Sequence, residues 1–118
     1  MLYKKASEMK PTPIPHCMGG EGTVMMERLL DAPAEMLGKG RAYVRHTLAP
    51  GVTIGRHTHE HEMESMVIVS GRAVHIINGE EQILEKGDII AAMPGDTRPR
   101  SPLPGRRAAG ADRTGAVR

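Results

Sequence analysis

A chain of 118 residues has room for one small domain. With 39% hydrophobic and 25% charged residues it is not a disordered polymer, no apolar run nears the roughly 18 residues of a membrane span, and a lone cysteine, Cys17, excludes an internal disulfide framework and a cysteine-based zinc cluster. The net charge of +2 hides an asymmetry: residues 97–118 hold six Arg, no Lys and one Asp, a net of +5, which leaves −3 for the remainder.

Residues 1–8 contain no apolar leader-like segment, so a reducing cytoplasm is the expected compartment. Residues 1–20, with Pro11, Pro13, Pro15 and the Gly19-Gly20 pair, read as an extended N-terminal arm. A strand is expected over 24–30. Residues 41–48 alternate, placing Ala42, Val44, His46 and Leu48 on one face of a second strand. After the Pro50-Gly51 turn and a His/Glu-rich stretch come a continuous apolar run at 66–69, the Ser70-Gly71 turn and a strand at 74–77. Asn78-Gly79 is a type I′ hairpin signal leading into 82–84. Lys86-Gly87-Asp88 then precedes a strand over 89–93, and Pro94-Gly95-Asp96 follows it.

Short strands with turns every 8 to 12 residues predict an all-β sandwich or barrel. The continuous run at 66–69 predicts burial on both faces, as when a jelly roll packs against a second subunit. Phe and Trp are absent and Tyr occurs twice, whereas Met occurs nine times, so methionine is expected to fill core volume. Met63 and Met66 are read in that way rather than as metal ligands. The basic tail has neither aromatic residues nor Lys and is diluted by Pro, Gly and Ala, which argues against a nucleic-acid arm.

The chemistry concentrates in Gly51-x5-His57-x-His59-x4-Glu64-x6-Gly71. On an extended strand the i and i+2 side chains share a face, so His57 and His59 can aim two imidazoles at one point. A reversal around residues 60–63 would bring Glu64 beside them. Two neutral imidazoles and a carboxylate suit Fe, Mn, Ni or Zn as the divalent ion, with positions left open. A solvated hairpin tip is the plain alternative. The spacing is not that of a zinc-protease helix.

This pattern resembles the first cupin motif, G-x5-H-x-H-x3,4-E-x6-G, at every defined position. Gly87-Asp88 and Pro94-Gly95-Asp96-Thr97 look like the beginning of the second. The resemblance runs from about Gly19 to Thr97. It implies a cupin-type double-stranded β-helix, a jelly-roll barrel over residues 21–97, forming a homodimer. It also implies a divalent transition metal held by His57, His59 and Glu64 with a third histidine from motif two. That histidine belongs near position 98, where this chain has Arg98, and a guanidinium does not ligate metals. His46, His61 and His75 are the candidate replacements. A hydrogen-bonded core role for His46 and solvent exposure for His61 are the competing expectations, and His75 could face either way.

After Thr97 the composition is that of GC-rich coding sequence read in a wrong frame. Residues 98–118 are therefore expected to be irregular or foreign to the fold, and the terminal strands to be lacking. The expected function is a metal-dependent enzyme acting on a small organic acid or carbonyl compound, of the decarboxylase, dioxygenase or isomerase class. The alternatives are a non-catalytic small-molecule binder or sensor, and a truncated cupin with impaired metal binding. Catalytic residues are not assigned; Glu62 and His61 are the nearest acid–base candidates. No membrane partner is expected.

Overall fold

The computed structural model describes residues 1–55, 58, 60–96 and the main chain of 113–117. Eight strands follow in chain order: β1 (Thr12–Pro15), β2 (Thr23–Leu30), β3 (Tyr43–Thr47), β4 (Glu64–Ser70), β5 (Arg72–Ile77), β6 (Glu80–Glu85), β7 (Ile89–Ala92) and β8 (Arg113–Val117). They form a six-stranded sheet ordered β1-β2-β3-β8-β4-β7 and a two-stranded hairpin, β5-β6. The hairpin packs toward β4, which makes two layers around one core.

Alternation decides which side chains enter that core. On β3, Val44 and His46 are buried, and on β4 Glu64 and Ile68. The pairs Met66↔Ile90 and Glu64↔Ala92 carry the same inward face onto β7, where Ala92 is fully buried. Val24, Ile76 and Leu84 complete the buried apolar set among the described residues.

That set contains no methionine, contrary to expectation. Met25, Met26 and Met66 are half-buried, and Met18, Met63 and Met93 are exposed. Within the single chain one face of 66–69 is buried, and Val67 and Val69, on the outer face expected to pack against a second subunit, are 40% and 43% exposed.

The turns obey the local chemistry. Asn78 (φ 52°) and Gly79 (φ 80°) both lie in the left-handed region, as a type I′ hairpin demands. The two Gly-Asp pairs act alike. Asp88 accepts from the Glu85 N–H (2.8 Å) and Asp96 from the Met93 N–H (2.9 Å), each side chain closing a tight turn in which a glycine takes positive φ. Asn78 Nδ2 donates to Asp96 Oδ1 (3.0 Å), which ties the hairpin tip to the loop after β7.

The expected N-terminal arm is built into the sheet. β1 pairs antiparallel with β2 as its edge strand. Farther out, the Lys4 ammonium contacts Glu35 (2.6 Å) and Asp31 (3.4 Å). The hydrogen bond to Glu35 raises the Lys4 pKa, and the same bond lowers that of Glu35.

The C-terminal end also differs from expectation. Residues 113–117 are not irregular: β8 lies between β3 and β4 and pairs with both. The ladder is made by main-chain groups, so a segment poor in apolar side chains still serves where two neighbouring strands offer unpaired N–H and C=O groups. The expectation for 98–112 lies outside the described residues. Among the described residues, no helix is long and apolar enough to cross a membrane.

Candidate metal and ligand site

Glu64 is the first residue of β4, and its side chain is 2% exposed. Its inward direction follows from strand parity, since Met66 and Ile68 occupy the next inward positions. A carboxylate at such depth is costly unless donors or a cation compensate it. That burial, at the glutamate position of the motif, fits a divalent cation.

The two histidines expected to complete the set, His57 and His59, lie outside the described residues, as do Arg56 and Arg98. Among the described residues, no three His, Cys, Asp or Glu side chains form a metal-holding group.

Strand register decides between the proposed substitutes. His46 is 6% exposed and inward, opposite Met26 on β2. Through β8 its rung is that of Ile68, because His46 and Ile68 both pair with Thr114. Glu64 lies four residues from Ile68 along β4, about 13 Å at ~3.3 Å per residue. One metal ion does not span that distance, so His46 is a core histidine rather than a partner of Glu64. His61 is exposed. Glu62 is engaged by Arg41, which donates Nε and Nη2 to its two carboxylate oxygens in a bidentate pair that anchors the 60–63 reversal. Glu62 is therefore engaged by Arg41 in this geometry, in a largely exposed pair.

His75 faces a cleft. It pairs with Gln82 across the hairpin. The two of them, with Ile77, Asn78, Glu80, Glu81 and Ile90, line a cavity of about 350 Å³. Ile90 stands opposite Met66, one inward rung from the Glu64–Ala92 pair. Sequence parity left the direction of His75 open; its place in the cavity lining reveals it, and by register it shares that face with Ile77, Gln82 and Leu84.

The approach to the motif is held by main chain. Cys17 O accepts from both Gly20 N (3.0 Å) and Gly55 N (2.9 Å), while Glu21 and Thr53 exchange two bonds. A Cβ on Gly55 would fall 1.8 Å from Met18 O, and one on Gly20 2.1 Å from Thr53 O. The N-terminal loop therefore clasps the chain two residues before His57. Nothing in the spacing of the motif signalled this contact; the paired glycines at 19–20 and Gly55 were its only trace.

Two facing β-layers around a small core, with a buried carboxylate at one end and a cleft one rung away, define a single-domain jelly-roll barrel. The cupin-domain family model matches residues 44–99. An oxalate-binding protein of Thermotoga maritima is 36% identical over 96 residues, covering 81% of this chain and 78% of its own. The chain belongs to the cupin family. The crystal structure of a predicted oxalate decarboxylase from Thermotoga maritima superposes with a TM-score of 0.83 at 29% identity, covering 98% of this chain and 96% of that one. KdgF from Halomonas sp. shares the fold, with a TM-score of 0.71 at 15% identity over 99% and 90% of the two chains.

Proposed function

We propose that this cupin binds a small organic acid of the oxalate type inside its barrel, through a divalent transition metal held by His57, His59 and Glu64. The observation that carries this reading is the fully buried Glu64 carboxylate on the inward face of β4. The Thermotoga maritima matches, described as an oxalate-binding protein and as a predicted oxalate decarboxylase, support the choice of acid. When bound, the metal would supply Lewis-acid polarisation of a carboxylate oxygen. The chain's own part is to hold the acid in a water-poor interior and to orient it. Binding without turnover is the first reading, because the nearest acid–base candidates are an exposed His61 and a Glu62 engaged by Arg41.

The test is metal content and oxalate titration of the same purified sample. Wild-type protein is expected to hold near-stoichiometric metal and to bind oxalate only while metal-loaded. His57→Ala should lose metal affinity by ~100-fold or more. Oxalate binding that survives complete chelation overturns the metal reading, and release of CO2 from oxalate converts the binder into a decarboxylase.

A homodimer is part of the same proposal, as is a cytoplasmic setting for a chain with the single thiol Cys17. Val67, Val69 and Ile89, the last 72% exposed, give the six-stranded sheet an apolar outer face. A second copy is its proposed cover. Light scattering should read two copies for the wild type and one for Val67→Lys; a monomeric wild type would refute it.

A further inference from the structure

We propose that the cleft between the β5–β6 hairpin and β7 receives the far end of the ligand and selects for hydroxyl groups there, so that the ligand is a hydroxylated carboxylic acid longer than oxalate. This rests on the preceding reading, in which a carboxylate is taken up at the Glu64 end.

Size is the first argument. A cavity of about 350 Å³ falls within the range of small-molecule pockets, ~300–1,000 Å³. At roughly 30 Å³ for a water-sized group it holds about a dozen non-hydrogen atoms, twice what oxalate contains. The cleft is also placed to be reached from the Glu64 end. Ile90 in its wall pairs with Met66, and the next inward rung is Glu64–Ala92.

The lining supplies the second argument. Ile77 and Ile90, both half-buried, give an apolar floor on which a carbon chain can lie. His75, Asn78 and Gln82 bring groups that both donate and accept. Glu80 and Glu81 bring acceptors only, and negative charge. A second carboxylate here would face two like charges, an arrangement that disfavours its ionised form. An ammonium would suit the glutamates but make no use of the amide donors. A hydroxyl uses both, donating to a carboxylate while accepting from an amide or imidazole. Asn78 and Glu80 stand at the exposed mouth beside the turn that Asp96 ties down, which holds this wall in place.

The experiment is calorimetric titration of the metal-loaded full chain with three acids: oxalate, adipate and gluconate. Gluconate and adipate have equal carbon chains and differ in hydroxyls against a second carboxylate. Gluconate is expected to bind tighter than adipate by about tenfold or more, the value of one or two hydrogen bonds to charged groups. Gln82→Leu, at an exposed position, should weaken gluconate by about tenfold and leave oxalate unchanged, with His75→Leu as the second variant. Adipate equal to or better than gluconate overturns the inference, as do variants that weaken oxalate and gluconate alike. Both results leave the metal reading standing if oxalate still binds. A wild type that takes up none of the three acids brings down both.

Discussion

Glu64→Gln is expected to leave the metal-free protein about as stable as the wild type while removing most of its metal affinity. Glutamine has the same shape and retains a carbonyl oxygen, so packing against the inward neighbours Met66 and Ala92 is kept. What it removes is a charge from a site 2% exposed to water, and ions at such depth cost several kcal/mol to desolvate. In the metal-free chain the loss of that cost offsets whatever the carboxylate gains from its surroundings, so the melting midpoint should move by no more than a few degrees. With metal the sign changes. A ligand that binds only the folded state stabilises it by ~4 kcal/mol at a thousandfold excess over its dissociation constant. A ~100-fold loss of affinity removes about 2.7 kcal/mol of that. Thermal melts of both proteins, with and without Mn(II), check the contrast. A variant that melts far below wild type without metal would make Glu64 a structural residue, and one that keeps the full metal-induced shift would remove it from the coordination set.

The same residue shows how much the sequence disclosed. Glu64 was legible because its spacing from Gly51, His57, His59 and Gly71 is a chemical pattern, and β4 does begin there and turn it inward. The hairpin at Asn78-Gly79 was legible because positive φ at two successive residues has few sequence solutions. Packing was not. Methionine count says how much soft volume a chain owns, not where it goes, and Met63 and Met93 lie exposed at the end of the barrel beside the Glu64–Ala92 pair. The strand over Arg113–Val117 was invisible for a different reason. Its place between β3 and β4 is created by the open edges of two strands distant in sequence, and its own residues carry no alternation that announces it. Side-chain direction on β5 was undecidable from 74–77 alone, since Val74, His75, Ile76 and Ile77 lack a polar side. Pairing with β6 shows only that His75 and Ile77 share one face and Val74 and Ile76 the other, and the cavity lining adds that the first of these faces the cleft.

The clasp before His57 carries the largest stability effect. Gly55→Ala is expected to unfold the protein or to lower its melting midpoint by ~10 °C or more. The added Cβ would fall 1.8 Å from Met18 O and 2.5 Å from Met18 C, both main-chain atoms that no rotamer change can withdraw. Relief requires separating the N-terminal loop from residues 53–55. That movement breaks the bonds from Gly55 N to Cys17 O (2.9 Å) and from Thr53 N to Glu21 O (2.9 Å). Losing two such bonds together with the packing around them costs ~3–5 kcal/mol, a large part of the ~5–15 kcal/mol that holds a domain of this size. Gly51→Ala is the control. Its Cβ meets nothing within 4 Å, so the only penalty is the left-handed backbone at φ +86°, ~1–2 kcal/mol. The two glycines thus reverse the order that the motif alone suggests, because Gly51 is a defined motif position and Gly55 is not. Circular-dichroism melts of the two variants decide it: a Gly55→Ala midpoint equal to or above that of Gly51→Ala would mean that the loop does not hold the strand leading to His57.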